Sequence, residues 1–194
     1  MSKNQIRADM QALLKKISPE ERHTRSLAAC HKLLALKEFK SAQMVMIFMS
    51  IPCEIETTAL AIRAWQEGKT IVVPRVDWKN NRMEPVEINS FEECEVAGKG
   101  IREPLIGTVV PLGYIDMVVV PGMSFDRCGF RVGRGKGFYD RFLAETDFNG
   151  KRVGFCFQEQ LHPNIPTEPH DIPMDIIVTD EEVIHCHNGN SVNK

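Results

Sequence analysis

Two hydrophobic rhythms alternate along the chain. Near the start, Ile6, Met10, Leu13, Leu14 and Ile17 recur at the spacing of one helical stripe. At about 100° per residue, Lys3 and Arg7 lie about 40° and about 80° from the centre of that stripe, and Lys15 about 155° away. Lys3 and Arg7 therefore flank the seam while Lys15 faces water. Ser18-Pro19-Glu20-Glu21 reads as a helix start, with a hydroxyl cap, proline in the first helical position and glutamate three residues after the cap. It predicts a second helix through Leu27, Leu33 and Leu34 to about Leu36. Residues 44–49 are then apolar without alternation, the signature of a strand covered on both faces. A helix over about 57–67, closed by Gly68, and a strand over 70–74 follow.

Residues 77–115 are less regular, with a short strand predicted near 86–88. The buried-strand pattern returns at 117–120, 153–157 and 176–179, and a helix is predicted over about 137–144. Strands separated by helices imply a doubly wound α/β fold. Its sheet is mostly parallel, helices cover both faces, and functional loops stand at the carboxyl ends of the strands. With 194 residues there is room for one such domain, expected over 1–187, and a flexible tail over 188–194.

Composition narrows the functional classes. Net charge is −2, which argues against a nucleic-acid coat. The first 40 residues hold nine Lys or Arg against four Asp or Glu, and the densest acidic stretch lies at 159–182. The apolar runs are strand-length, too short to span a bilayer. The first residues read as a helix, so neither a signal peptide nor an organelle-targeting segment is expected. The six cysteines form no Cys-x-x-Cys pair and no metal or disulfide spacing, which suits a reducing compartment such as the cytoplasm.

The most informative stretch runs from Pro121 to Phe142. Between Gly129 and Gly137 it holds four glycines in nine residues, interleaved with Arg131, Arg134 and Lys136. Such a loop brings amide donors and cationic side chains to one place, and it leads into a helix start that favours an anion. It lacks the Walker A spacing and the hydroxyl that would hold magnesium there.

This stretch resembles the signature of the 5-formyltetrahydrofolate cyclo-ligase family. The family pattern is Pro-Gly-x-x-Phe-Asp followed by Gly-x-Arg-Leu-Gly-Arg-Gly-x-Gly-Tyr-Tyr-Asp. The chain departs from it with Val132 for Leu and Phe138 for the first Tyr. Three further elements agree in order: Lys3 and Arg7 four apart on a first helix, Phe48-Met49-Ser50-Ile51-Pro52-Cys53-Glu54-Ile55-Glu56-Thr57, and His170-Asp171 before a last strand.

The resemblance implies a cytoplasmic, ATP- and magnesium-dependent enzyme that acts alone on small molecules, reduced folate and ATP, with no nucleic acid or membrane partner and as a monomer. It would close 5-formyltetrahydrofolate to 5,10-methenyltetrahydrofolate, releasing ADP and phosphate. The substrate's formyl oxygen is phosphorylated and its own nitrogen then attacks, so no Ser–His or Cys–His pair is required. By the same resemblance Lys3, Arg7, Arg131, Val132, Gly133, Arg134, Gly135, Lys136, Gly137, Phe138 and Tyr139 would contact ATP. Met49 and Glu54, with the loop from Arg134 to Phe138, would contact folate. Arg134 and Lys136 would stabilise the transferring phosphoryl group, and Asp140 and Asp171 would hold magnesium. Around Lys99 the family often presents an aromatic that packs on the folate, and this chain has none.

The alternative from another class is a folate- or nucleotide-binding module of the same fold without turnover. RNA binding through the basic first helix is a weaker third reading. His185-Cys186-His187 is expected to belong to a frayed terminus, and Trp65 and Trp78 to be packing residues rather than site residues.

Overall fold

The unbroken apolar runs become the middle strands of one sheet because both of their faces are covered. The computed structural model describes residues 1–97 and 100–186. Helices α1 (Lys3–Leu14), α2 (Pro19–Ala35) and α3 (Lys37–Ser41) come first. Strand β1 (Met44–Met46), helix α4 (Thr58–Gln66), β2 (Thr70–Asp77) and β3 (Arg82–Ile88) follow. After the short β4 (Cys94–Val96) and β5 (Arg102–Pro104) come β6 (Met117–Val120), β7 (Ser124–Phe125) and β8 (Arg131–Val132). Helix α5 (Phe138–Leu143), β9 (Lys151–Phe155), β10 (Ile176–Val178) and β11 (Val183–His185) complete the order.

Seven strands form the central sheet in the order β11-β10-β9-β6-β1-β2-β3. The inner five run parallel, while β3 and β11 close the edges antiparallel. Successive side chains feed opposite layers. Val45, Ile71, Val73 and Val119 pack with Leu33, Phe39 and Leu60 from α2, α3 and α4. Met46, Val72, Val118 and Val120 pack instead with Phe142 and Leu143 of α5. The expected doubly wound α/β sheet is thus present, with helices on both faces.

Several elements are longer or more ordered than the sequence suggests. The strand expected to end at Pro74 continues to Asp77, and the short strand expected near residue 86 extends from Arg82 to Ile88 as its antiparallel partner. Proline reads as a strand end, but Pro74 and Pro85 face each other in register. Pro85 turns its carbonyl outward to the Val110 amide, so this rung is one where neither nitrogen faces the partner strand and no ladder bond is lost. His185 is no frayed terminus: it pairs with Ile176 in β11, and the Cys186 amide donates to the Asp175 carbonyl. Lys99, His187 and the tail expected at 188–194 lie outside the described residues.

The order of the parallel strands reverses between β1 and β6. In such sheets the crevice outside the carboxyl ends at the reversal point is where ligands bind. Those ends are residues 48–50 and Pro121-Gly122.

Candidate active site

The family-like stretch is shaped first by packing. Phe125 is fully buried, and a Cβ at either Gly122 or Gly154 would come within 2.7 Å of its ring. Asp126 holds the turn between β7 and β8: its Oδ1 accepts from the amides of Cys128 and Phe130 at 3.0 Å each, and its Oδ2 from Ile165 at 3.0 Å. Gly129, with φ of 96°, lies so close to Met174 that a Cβ would meet the Met174 carbonyl at 2.5 Å. Proline, glycine, phenylalanine and aspartate in this stretch are thus a mount for the loop that follows.

The first helix docks on that mount. Ile6 clusters with Val132 and Ile165, while Met10 and Leu14 join the main core. The predicted seam is the buried face, and Lys3 and Arg7 flank it half-buried, with Lys15 exposed. Arg7 Nε donates to the Gly133 carbonyl at 2.8 Å, and the Arg7 guanidinium lies 3.5 Å from where a Gly135 Cβ would stand. Lys3 Nζ reaches Asp171 Oδ2 at 2.7 Å and Glu168 Oε2 at 3.4 Å. Burial works to raise the Asp171 carboxyl pKa, yet the Lys3 ammonium and the Glu168 amide hold it below the ordinary value. Lys3 is correspondingly raised, although burial opposes it.

Glu54 is placed by the segment joining β1 to α4. Thr57 Oγ1 donates to the Phe48 carbonyl at 2.7 Å, and the Ser50 hydroxyl accepts from the Thr57 amide at 3.1 Å. Between them the chain turns sharply, with Cys53 at φ of 80° and the Glu54 amide donating to the Ile51 carbonyl at 3.0 Å. The Glu54 carboxylate is thereby turned toward the Gly-rich loop, where its Oε1 accepts from Arg134 Nε at 3.0 Å and Nη2 at 2.8 Å.

A cavity of about 200 Å³ lies at the sheet's reversal point, walled by Met49, Glu54, Arg134, Lys136, Phe138 and Tyr139. The structure also brings Trp78 and Met83 of the β2–β3 hairpin, together with Ile101, to this wall. Trp78 stands edge-to-face with Phe138 at 5.2 Å. Trp78 therefore lines the candidate cavity, a place the sequence reading did not give it. Trp65 does pack as expected, against Phe91, with its Nε1 donating to the Ile88 carbonyl. A tryptophan beside Lys79-Asn80-Asn81, in a polar hairpin turn, was the signal that sequence reasoning passed over.

Within the loop the residues separate by task. Val132 is fully buried against α1 and presents its side chain to the interior. Arg131 is buried too, donating to the Ile172 carbonyl and to Asp140 Oδ1, both at 2.8 Å. Burial pulls its guanidinium below its ordinary pKa, and Asp140 opposes that. Arg131 thus fastens the loop's root. Gly135 and Gly137 take left-handed conformations, φ of 93° and 65°, which lets the loop turn into α5. Helix α5 has only six residues, so cations rather than a helix dipole dominate the loop's potential. Lys136 is exposed, and among the described residues its ammonium has no ion pair. The Tyr139 hydroxyl is buried without a hydrogen-bond partner among them, and burial pushes its pKa up.

Asp140 and Asp171 meet through the chain itself, since Asp140 Oδ1 accepts from the amide of Ile172, the residue after Asp171, at 3.3 Å. Asp140 Oδ2 and Asp171 Oδ1 accept no hydrogen bond from a described residue. Glu168 and His170 stand with Asp171, their potential ligand atoms within 4.8 Å of one another. With Asp171 Oδ2 taken by Lys3, the hard oxygens left for magnesium beside phosphate and water are Asp171 Oδ1 and Asp140 Oδ2, a donor set of the kind such an ion takes. No helix among the described residues is long and apolar enough to cross a membrane.

Comparison with known proteins agrees along the whole length. The model of the 5-formyltetrahydrofolate cyclo-ligase family matches residues 1–180. The mouse 5-formyltetrahydrofolate cyclo-ligase is 30% identical over 191 residues, covering 93% of this chain and 94% of the mouse protein. The Escherichia coli K12 enzyme of the same name is 28% identical, covering 86% of this chain and 94% of its own. The solution structure of Aquifex aeolicus 5,10-methenyltetrahydrofolate synthetase superimposes with a TM-score of 0.85 at 31% identity, covering 100% of this chain and 97% of that one.

Proposed function

The chain belongs to the 5-formyltetrahydrofolate cyclo-ligase family, a family of ligases, and from that premise we propose that it uses ATP and magnesium to close 5-formyltetrahydrofolate into 5,10-methenyltetrahydrofolate. The observation that carries this reading is one of placement. The apolar cavity holding Met49 and Glu54 opens directly onto the cationic loop of Arg134 and Lys136. A ring system with N–H donors and a triphosphate would therefore lie side by side.

The chemistry asks little of the protein beyond that placement. The formyl oxygen attacks the terminal phosphorus of ATP, and the bond to the ADP oxygen breaks. The neighbouring nitrogen of the same folate then attacks the activated carbon and gives up its proton. The C–O bond breaks, and its electron pair leaves with phosphate. Two substrates held in line, with charge neutralised as it moves to the leaving oxygens, supply most of the rate. Glu54 accepts from the pterin's N–H groups, and Met49, Trp78 and Phe138 exclude water from the ring. Lys136 and Arg134 offset charge on the transferring phosphoryl group. Arg7 holds the loop's carbonyl at Gly133, so that the neighbouring amides point toward the phosphates. Asp140 and Asp171 would hold magnesium, which when bound would supply further positive charge against the phosphates. The compartment we propose is the cytoplasm.

The test is direct: protein, 5-formyltetrahydrofolate, ATP and magnesium should together raise the methenyl absorbance in the near ultraviolet. Folded protein that gives no rise sinks the proposal.

A further inference from the structure

Glu54 and Arg134 each have a ligand to meet, yet in the structure they meet each other. Both guanidinium donors of one edge of Arg134 converge on a single carboxylate oxygen, Oε1, at 3.0 and 2.8 Å. The other oxygen accepts the Ile51 amide at 3.2 Å. The Glu54 side chain is 15% exposed and that of Arg134 49%, so the pair forms at the cavity's edge, with the carboxylate inside and the guanidinium at the rim. Arg134 stands between Gly133, where a Cβ would meet nothing within 4 Å, and Gly135 at φ of 93°. Arg7 holds that backbone through the Gly133 carbonyl, so it is the half-exposed Arg134 side chain, turning about its own rotatable bonds, that leaves Glu54. Lys136, two residues on, has no ion pair among the described residues and stands ready for an anion.

From this geometry we infer that Glu54 is a positioning residue for the nucleotide, acting through Arg134. While the cavity is empty, Glu54 holds Arg134 away from the phosphates. A pterin that donates to Glu54 replaces the guanidinium, and the released Arg134 turns to the triphosphate beside Lys136. Each ligand then tightens the other, because the cost of parting the pair is met once and serves both. This rests on the folate and ATP reading above and adds to it an order of events within the site. A bound folate prepares the phosphate subsite, so ATP entering alone meets a loop with one of its two cations engaged.

The experiment is isothermal titration with the β,γ-imido analogue of ATP and magnesium, with and without saturating 5-formyltetrahydrofolate. For the unaltered protein the folate should tighten the analogue about tenfold, within the usual range of coupling between sites. Glu54→Gln removes the carboxylate charge, so it should bind the analogue about tenfold tighter without folate and lose the coupling. Glu56→Gln makes the same charge change two residues away, where the carboxylate meets His23 at 2.9 Å, and should leave the analogue's affinity unchanged. The inference is overturned if folate shifts the analogue's affinity by less than about twofold. It is equally overturned if Glu54→Gln binds the analogue no more tightly than Glu56→Gln. If the unaltered protein forms methenyl product while showing no coupling, this inference alone fails. If it neither binds folate nor forms product, the proposed function fails and takes the inference with it.

Discussion

Replacing Ile6 with alanine separates the structural role of the first helix from its role at the site. Ile6 is 2% exposed and shares a small cluster with Val132 and Ile165. Deleting an isoleucine side chain from a rigid core costs about 2–5 kcal/mol, and a cluster under a helix end can settle, so about 2 kcal/mol is expected here. That loss falls on the turn that carries Lys3 and Arg7. Their bonds to Asp171 and the Gly133 carbonyl contribute on the order of 1 kcal/mol each and do not survive an undocked turn. If the turn must redock before ATP is held, about 2 kcal/mol raises KM for ATP about thirtyfold. Saturating ATP should restore turnover to within a few-fold. Met10→Ala is the companion variant: Met10 lies one turn further along and packs on the main core instead. It should lower the melting temperature comparably while shifting KM for ATP by no more than about threefold, because the Val132 contact is intact. Thermal melts and methenyl absorbance at varied ATP measure both quantities. Equal KM shifts in the two variants, or none in Ile6→Ala, would refute the idea that this cluster positions the cations.

Three other outcomes are expected. Trp78→Ala should raise KM for folate about tenfold without changing KM for ATP, and folate should quench fluorescence in Trp65→Phe but not in Trp78→Phe; quenching that follows Trp65 would remove Trp78 from the site. Lys136→Ala should lower kcat by about 10²–10³-fold and leave folate affinity within about twofold, and a change confined to KM would deny it a part in phosphoryl transfer. Asp175 accepts from the Arg152 amide, Nε and Nη2 at 2.8, 3.0 and 2.7 Å, and despite burial, which pushes the other way, this lowers its carboxyl pKa below the ordinary 3.8. Its contribution is therefore complete above the ordinary value and is lost as pH falls through the lowered one. Asp175→Asn should cost about 2–3 kcal/mol in urea unfolding at pH 7, with the gap closing below about pH 4. A gap that stays constant with pH would contradict the assignment.

The parts of the fold legible in the sequence are those set by local rules. Apolar runs without alternation announce strands covered on both faces, and 3.6-residue spacing announced the seam of α1 down to which cations flank it. The length of the β2–β3 hairpin was hidden, because Pro74 and Pro85 each read as a strand end and only their pairing removes the penalty. β11 was hidden by polar neighbours, since an edge strand has one solvated side and a weak apolar signature. At the site, the glycine loop and Asp140 are contiguous and so could be read together. The pairing of Lys3 with Asp171 spans 168 positions, and that of Arg134 with Glu54 spans 80. No local pattern carries such contacts. Trp78 reads in the sequence as a packing residue, and only the hairpin's fold shows that it packs along the candidate cavity.

The proposed adjacency of a folate pocket and a phosphate loop is tested most directly by following one oxygen atom. 5-Formyltetrahydrofolate labelled with ¹⁸O in the formyl group should, in a single turnover with ATP and magnesium, deliver its label to inorganic phosphate as methenyl absorbance appears. Phosphate released without the label, or product formed with ATP left intact, would contradict the account.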